Sequence, residues 1–141
     1  MIDTRTAPYG VLLLRVVLGL FFLVHAWAKF FIFTPAGTAA FFGSIGLPPA
    51  LAYLVMAVET LGGIALILGI WTRPVAIILA IDLLGAIIFV HASAGFFFTN
   101  PNGGWEYPAM WALVLVVQAL LGDGAWALAP MGLPATQSAN A

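Results

Sequence analysis

The chain has no cysteine. Disulfide exchange, a thiolate nucleophile and a thiolate-held metal are therefore excluded as properties of its own side chains. Any redox chemistry has to use a bound molecule or another subunit. Charge is nearly as scarce, with four Lys/Arg, five Asp/Glu and a net charge of -1 in 141 residues. Four cations cannot build a basic patch, which argues against a nucleic-acid partner. Only 6% of the residues are charged and 64% are hydrophobic, so a water-soluble domain of this size could not cover its surface with polar groups. A mean hydropathy of +1.15 fits a chain whose solvent is the lipid bilayer.

Long apolar runs dominate what is present. A hydrocarbon core of about 30 Å takes roughly 20 helical residues, and four runs reach that length, near 9–33, 49–70, 74–98 and 107–128. Proline is tolerated in the first turn of a helix, where its missing donor is not needed, and Pro49, Pro74 and Pro108 mark starts. The reading is an all-α, polytopic membrane four-helix bundle forming a single domain over 1–141, with a flexible tail at 130–141. The first run is too long for a secretory signal and has no small-residue cleavage site before the next loop, so it is read as a retained span. Four spans put both termini on one side. Arg5, Arg15 and Arg73 lie toward that side and Lys29 toward the other, which makes the termini cytoplasmic.

Two stretches resemble each other. "FLVHAWAKFFIFTP" from Phe22 and "IFVHASAGFFFTNP" from Ile88 share seven of fourteen positions at an offset of 66. Either two helix hairpins are copies, or a composition rich in Ala, Val and Phe has produced the match. A duplication would bring His25 and His91 to one depth.

At about 1.5 Å per residue, His25, Glu59 and His91 lie roughly 10 to 15 Å from the non-cytoplasmic end, with Lys29 shallower and Gln118 near the level of Glu59. Arg15 and Asp82 fall in the cytoplasmic half. On the first helix Arg15, His25 and Lys29 share an arc of roughly 80°, a face that should look into the bundle. Ionisable groups in lipid cost about 2.5 to 3.5 kcal/mol each on insertion scales, so they face the interior and find partners. Arg15 with Asp82 is read as a structural ion pair. His25, Lys29, Glu59, His91, Glu106 and Gln118 are candidates for ligand binding or proton handling, and Trp105 and Tyr107 for interface anchors. Each candidate also has a purely structural reading: histidines bonded to backbone carbonyls, Lys29 paired with Glu59, Glu106 complementing a helix dipole. Gly62 and Gly63, one turn after Glu59, permit close approach of another helix. One histidine per half, with no surrounding ligand pattern, disfavours a haem, and no metal site is assigned.

The segments "LLLRVVLGLFFLVHAWAKFF", "FFGSIGLPPALAYLVMAVETLGGIALILGIWTRPVA" and "HASAGFFFTNPNGGWEYPAMWALVLVVQALLGDGAWAL" together resemble the DoxX family from Leu12 to Leu128. The shared marks are Arg15, the H-x-x-x-K of His25 and Lys29, Gly46 to Pro48, Glu59 with Gly62 and Gly63, Thr72 with Arg73, His91, and Gly103 to Pro108. The resemblance implies a four-helix protein of the bacterial cytoplasmic membrane linked to oxidoreductase systems. Related DoxD-like proteins form the membrane subunit of a thiosulfate:quinone oxidoreductase, and other members associate with peripheral redox proteins. It leaves three functional expectations: an accessory or anchoring subunit of a redox complex, a quinone-binding subunit using a buried His/Lys/Glu pocket, and a small transporter. No cofactor is expected within the chain itself beyond a bound quinone. The expected partners are lipid and other protein subunits or further copies.

Overall fold

The computed structural model describes residues 3–131, whose regular elements are all helical apart from one isolated bridge, with non-helical connections at 95–105 and after residue 121. Helix α1 spans Ala7–Trp27 and runs on into a π-turn at Ala28–Ile32. Helix α2, Pro35–Ser44, comes after a two-residue break. Helix α3 covers Ala50–Leu68 and α4 covers Thr72–Ala86; α4 continues through a second π-turn at Ile87–His91 and a 3₁₀ turn at Ala92–Ala94. Helix α5, Glu106–Leu121, closes the bundle. Three continuous helices, Ala7–Ile32, Ala50–Leu68 and Thr72–Ala94, are long and apolar enough to cross a membrane.

The α1 helix packs chiefly on α3, and α4 on α5; α3 meets α4 and α1 meets α5 along narrower seams. Leu18, Phe22, Leu66, Leu79, Leu83 and Leu115 fill the centre. Large apolar side chains such as Leu13, Leu61, Ile81 and Leu120 stay exposed on the outside, the arrangement lipid favours because hydrocarbon gives no reason to bury them.

Glycines set the closest seam. A Cβ on Gly19 would lie 2.6 Å from the carbonyl oxygen of Gly63, and one on Gly63 would lie 2.9 Å from that of Gly19. The α1 and α3 backbones touch there, as the pair Gly62 and Gly63 leads one to expect. Gly63→Val is expected to destabilise the protein by about 1 to 3 kcal/mol through overpacking. Gly85→Ala, whose new Cβ meets nothing within 4 Å, should raise stability slightly, by up to about 1 kcal/mol. Thermal unfolding of the two variants in the same detergent separates them.

The fourth expected span, 107–128, is too long. Helix α5 stops at Leu121 because Gly122 (φ +90) and Gly124 (φ +71) turn the chain out of the helix. The residues after it cross the end of the bundle. Ala125 N–H donates to the Pro8 carbonyl at 2.9 Å, Leu128 N–H to Leu68 at 3.0 Å, Ala129 N–H to Gly69 at 3.1 Å, and Trp71 N–H to Ala129 at 3.1 Å. Arg73 caps the carbonyls of Ala119 (2.8 Å) and Leu120 (3.2 Å), which α5 leaves unbonded at its end. Of the expected tail, residues 132–141 lie outside the described residues. Helix α2 was not expected: its Gly- and Ala-rich segment reads as loop, yet Thr34 caps it by accepting from Gly37 N–H at 3.1 Å and Pro35 occupies its first turn.

Candidate functional site

A cavity of about 940 Å³ opens among α1, α2, α3, α4 and the start of α5. Its wall is mainly apolar and aromatic, with Phe33, Phe41, Phe42, Phe89, Phe98 and Trp111 among its surfaces. Into it come the acidic and basic side chains of His25, Lys29, Glu59, Asp82 and His91.

Lys29 Nζ lies 2.7 Å from both Glu59 carboxylate oxygens. Among the described residues this is the one side-chain ion pair. Glu59 is almost fully buried, with 7% of its side chain exposed against 21% for Lys29. The two π-turns carry Lys29 and His91. An extra residue in a helical turn rotates the residues beyond it relative to a regular helix, and such turns recur at functional sites. His91 Nδ1 donates to the Gly103 carbonyl at 2.9 Å, and His25 Nδ1 to the Phe21 carbonyl at 2.9 Å. A neutral imidazole that donates from Nδ1 keeps Nε2 as an acceptor. The His25 ring also lies 4.9 Å from that of Trp111, on the exposed flank of α1. Of the three residues expected on one inward face of the first helix, Arg15 is buried and Lys29 half-buried, whereas His25 is exposed.

Arg15 does not pair with Asp82. It is fully buried at the other end of the bundle, where its Nη2 donates to the Ala125 carbonyl at 3.0 Å and its guanidinium packs against Gly69. Asp123, after α5, is the carboxylate whose field reaches it. Counting residues along each helix missed this because α1 is staggered: Arg15, two turns into α1, is level with the turn that precedes α4. Asp82, ten residues into α4, stands instead in the cavity, within the field of Glu59 and Lys29. Its carboxylate receives no hydrogen bond from the described residues.

Two other candidates lie away from the cavity wall. Gln118 is buried three residues before the end of α5, where its Nε2 donates to the Gly122 carbonyl at 2.8 Å. The expected level, near Glu59, counts from the start of this helix alone; the side chain bonds at the opposite end of α5. Glu106 accepts from the Phe98 N–H at 3.2 Å and ties the loop to the start of α5. Tyr107 lines the cavity, with its ring 4.7 Å from that of Phe98, whereas Trp105 packs edge-on against Phe96. Trp111, missed in the sequence, forms part of the cavity wall; an aromatic residue in an apolar helix carries no signal of its own. Among the described residues no three His, Cys, Asp or Glu side chains converge as a metal would require.

The fold and the cavity define a class, an all-helical membrane protein with an apolar chamber holding a few charged groups. The chain belongs to the DoxX family, whose family model matches residues 10–92. It is 39% identical over 136 residues, 96% of each chain, to the "Putative oxidoreductase CatD" of Bacillus subtilis. It is also 36% identical over 123 residues to an uncharacterized protein of Haemophilus influenzae, covering 86% of this chain and 89% of that one. The "Inner membrane protein YqjF" of Escherichia coli is 35% identical over 81 residues, 57% of this chain and 61% of its own. No solved structure matches the chain.

Proposed function

We propose that this protein is the membrane subunit of a redox system and that its cavity binds a membrane quinone. The observation that carries this reading is the cavity itself. Its volume falls in the range of small-molecule sites, about 300 to 1,000 Å³, and its walls suit a flat ring with an isoprenoid tail. Its ionisable groups come from three helices and converge where a head group would sit. A quinone supplies reversible two-electron, two-proton chemistry when bound. The side chains here would orient its oxygens, with Lys29 keeping one N–H beyond its two bonds to Glu59, and would hold protons at Glu59, Asp82 and the histidines. With no cysteine in the chain, the electrons have to come from a bound molecule or a partner protein, and a partner protein fits the subunit reading. The oxidoreductase name of the Bacillus subtilis relative supports the same class.

The topology that serves this function has α5 as a fourth crossing. At 16 residues it is about 24 Å long, and Ala125 beside Pro8 supports an arrangement with the start of α1 and the segment after α5 at one end. That end carries Arg5, Arg15 and Arg73, which supports its assignment to the cytoplasmic side of a bacterial inner membrane. The pairing of α1 with α3 and of α4 with α5 is what a duplicated hairpin would give. The two π-turns, however, do not keep the offset of 66.

Native mass spectrometry of protein taken from its own membrane in mild detergent tests the proposal. A quinone-sized mass is expected on the wild type and absent from Gly85→Leu, which adds a branched side chain to the cavity wall at a position where the Cβ itself meets no neighbour. A stable assembly with other protein chains and no small molecule would instead make the protein an anchoring subunit.

A further inference from the structure

The free polar atoms of the cavity are unequally divided between donors and acceptors. Both carboxylate oxygens of Asp82 are without a donor among the described residues. His25 and His91 each commit Nδ1 as donor to a backbone carbonyl, which in the neutral ring leaves Nε2 a lone-pair acceptor. On the other side stands the one N–H of Lys29 not used by Glu59. Thr38, also on the wall, spends its hydroxyl hydrogen on the Thr34 carbonyl at 2.9 Å. The indole N–H of Trp111 has no partner among the described residues but is sealed inside the protein and does not reach the cavity surface. Tyr107 can serve either way. Charge tilts in the same direction, because Lys29 and Glu59 cancel and Asp82 leaves a surplus negative group.

A quinone ring offers two carbonyl oxygens, acceptors only, and would set them against carboxylate and imidazole lone pairs. The reduced ring offers two hydroxyl donors. A buried acceptor left without a donor costs about 1 to 3 kcal/mol, so the form that brings donors binds better. Resting on the quinone-site reading above, we infer that the cavity holds the reduced, dihydroxy form of the ring more tightly than the oxidised form, with Asp82 as the acceptor that sets the preference. The consequence is thermodynamic. A tenfold tighter grip on the reduced form raises the potential of the bound two-electron couple by about 30 mV, which makes the bound oxidised ring a better electron acceptor for a partner protein.

The test is anaerobic titration calorimetry on the protein in nanodiscs, using decyl-ubiquinone and, separately, the same compound reduced with borohydride. The reduced compound is expected to bind at least about tenfold more tightly. In Asp82→Asn, which removes the charge and adds a donor, the ratio should fall below about threefold. Asp82→Ala is the second variant if the first does not accumulate. Equal affinities, or a preference for the oxidised compound, would overturn the inference and leave the quinone site standing. A preference that persists unchanged in both Asp82 variants would overturn the role given to Asp82. Binding of neither form, or equal binding to Gly85→Leu, would overturn the quinone-site reading and the inference with it.

Discussion

Lys29→Met is expected to destabilise the folded protein by about 3 to 5 kcal/mol, the usual cost of stranding one member of a buried ion pair. Glu59 is the member left behind, with 7% of its side chain exposed and both hydrogen bonds from Lys29 gone. Its position in α3, next to the glycine contact with α1, gives it no route to water except the cavity. Adding Glu59→Leu to Lys29→Met should recover most of the loss, because an apolar pair of similar volume meets no desolvation penalty. Thermal unfolding of the two single variants and the double variant in nanodiscs gives the coupling directly. If the single losses simply added in the double variant, the two residues would not be energetically paired.

Arg15→Ala should be comparably damaging, at about 3 to 5 kcal/mol. Two effects combine: the charge-assisted bond to the Ala125 carbonyl, worth about 1.5 to 3 kcal/mol, and the void left by a fully buried side chain, worth about 2 to 5 kcal/mol for large-to-alanine changes. The void partly collapses, so the sum is not reached. Arg15→Met, which keeps most of the volume, should cost less than half as much. Asp82→Ala should not rescue Arg15→Ala, since the two side chains stand at opposite ends of the bundle. Limited proteolysis offers a second readout. Arg15 holds the segment after α5 against the bundle, so cleavage near Ala125 should rise in Arg15→Ala and stay at the wild-type level in Lys29→Met.

Lys29 and Glu59 were legible as partners in the sequence because each sits on an apolar helix toward the same end of the membrane, and lipid forces such groups to find each other. Arg15 and Asp82 satisfied the same rule on paper. Their separation comes from the axial stagger of α1 against α4, which no periodicity records. Gln118 escaped for a related reason: its level relative to Glu59 is counted along its own helix, whereas its side chain turns to the Gly122 carbonyl at the far end of α5.

The sequence by itself determined that this is a helical membrane protein, that its charged residues must be sequestered, that Gly62 and Gly63 would bring a neighbouring helix close, and that any electrons must come from elsewhere. Those are consequences of composition and period, which act at every position alike. Only the tertiary structure decided that α2 and two π-turns shape one end of the bundle, that Asp82 joins Lys29 and Glu59 in the cavity, and that Arg15 secures the chain beyond α5. These depend on stagger, on rotation about each helix axis and on backbone carbonyls as acceptors. A buried guanidinium bonds a carbonyl as readily as a carboxylate, and every residue carries a carbonyl, so the choice among them is made by packing.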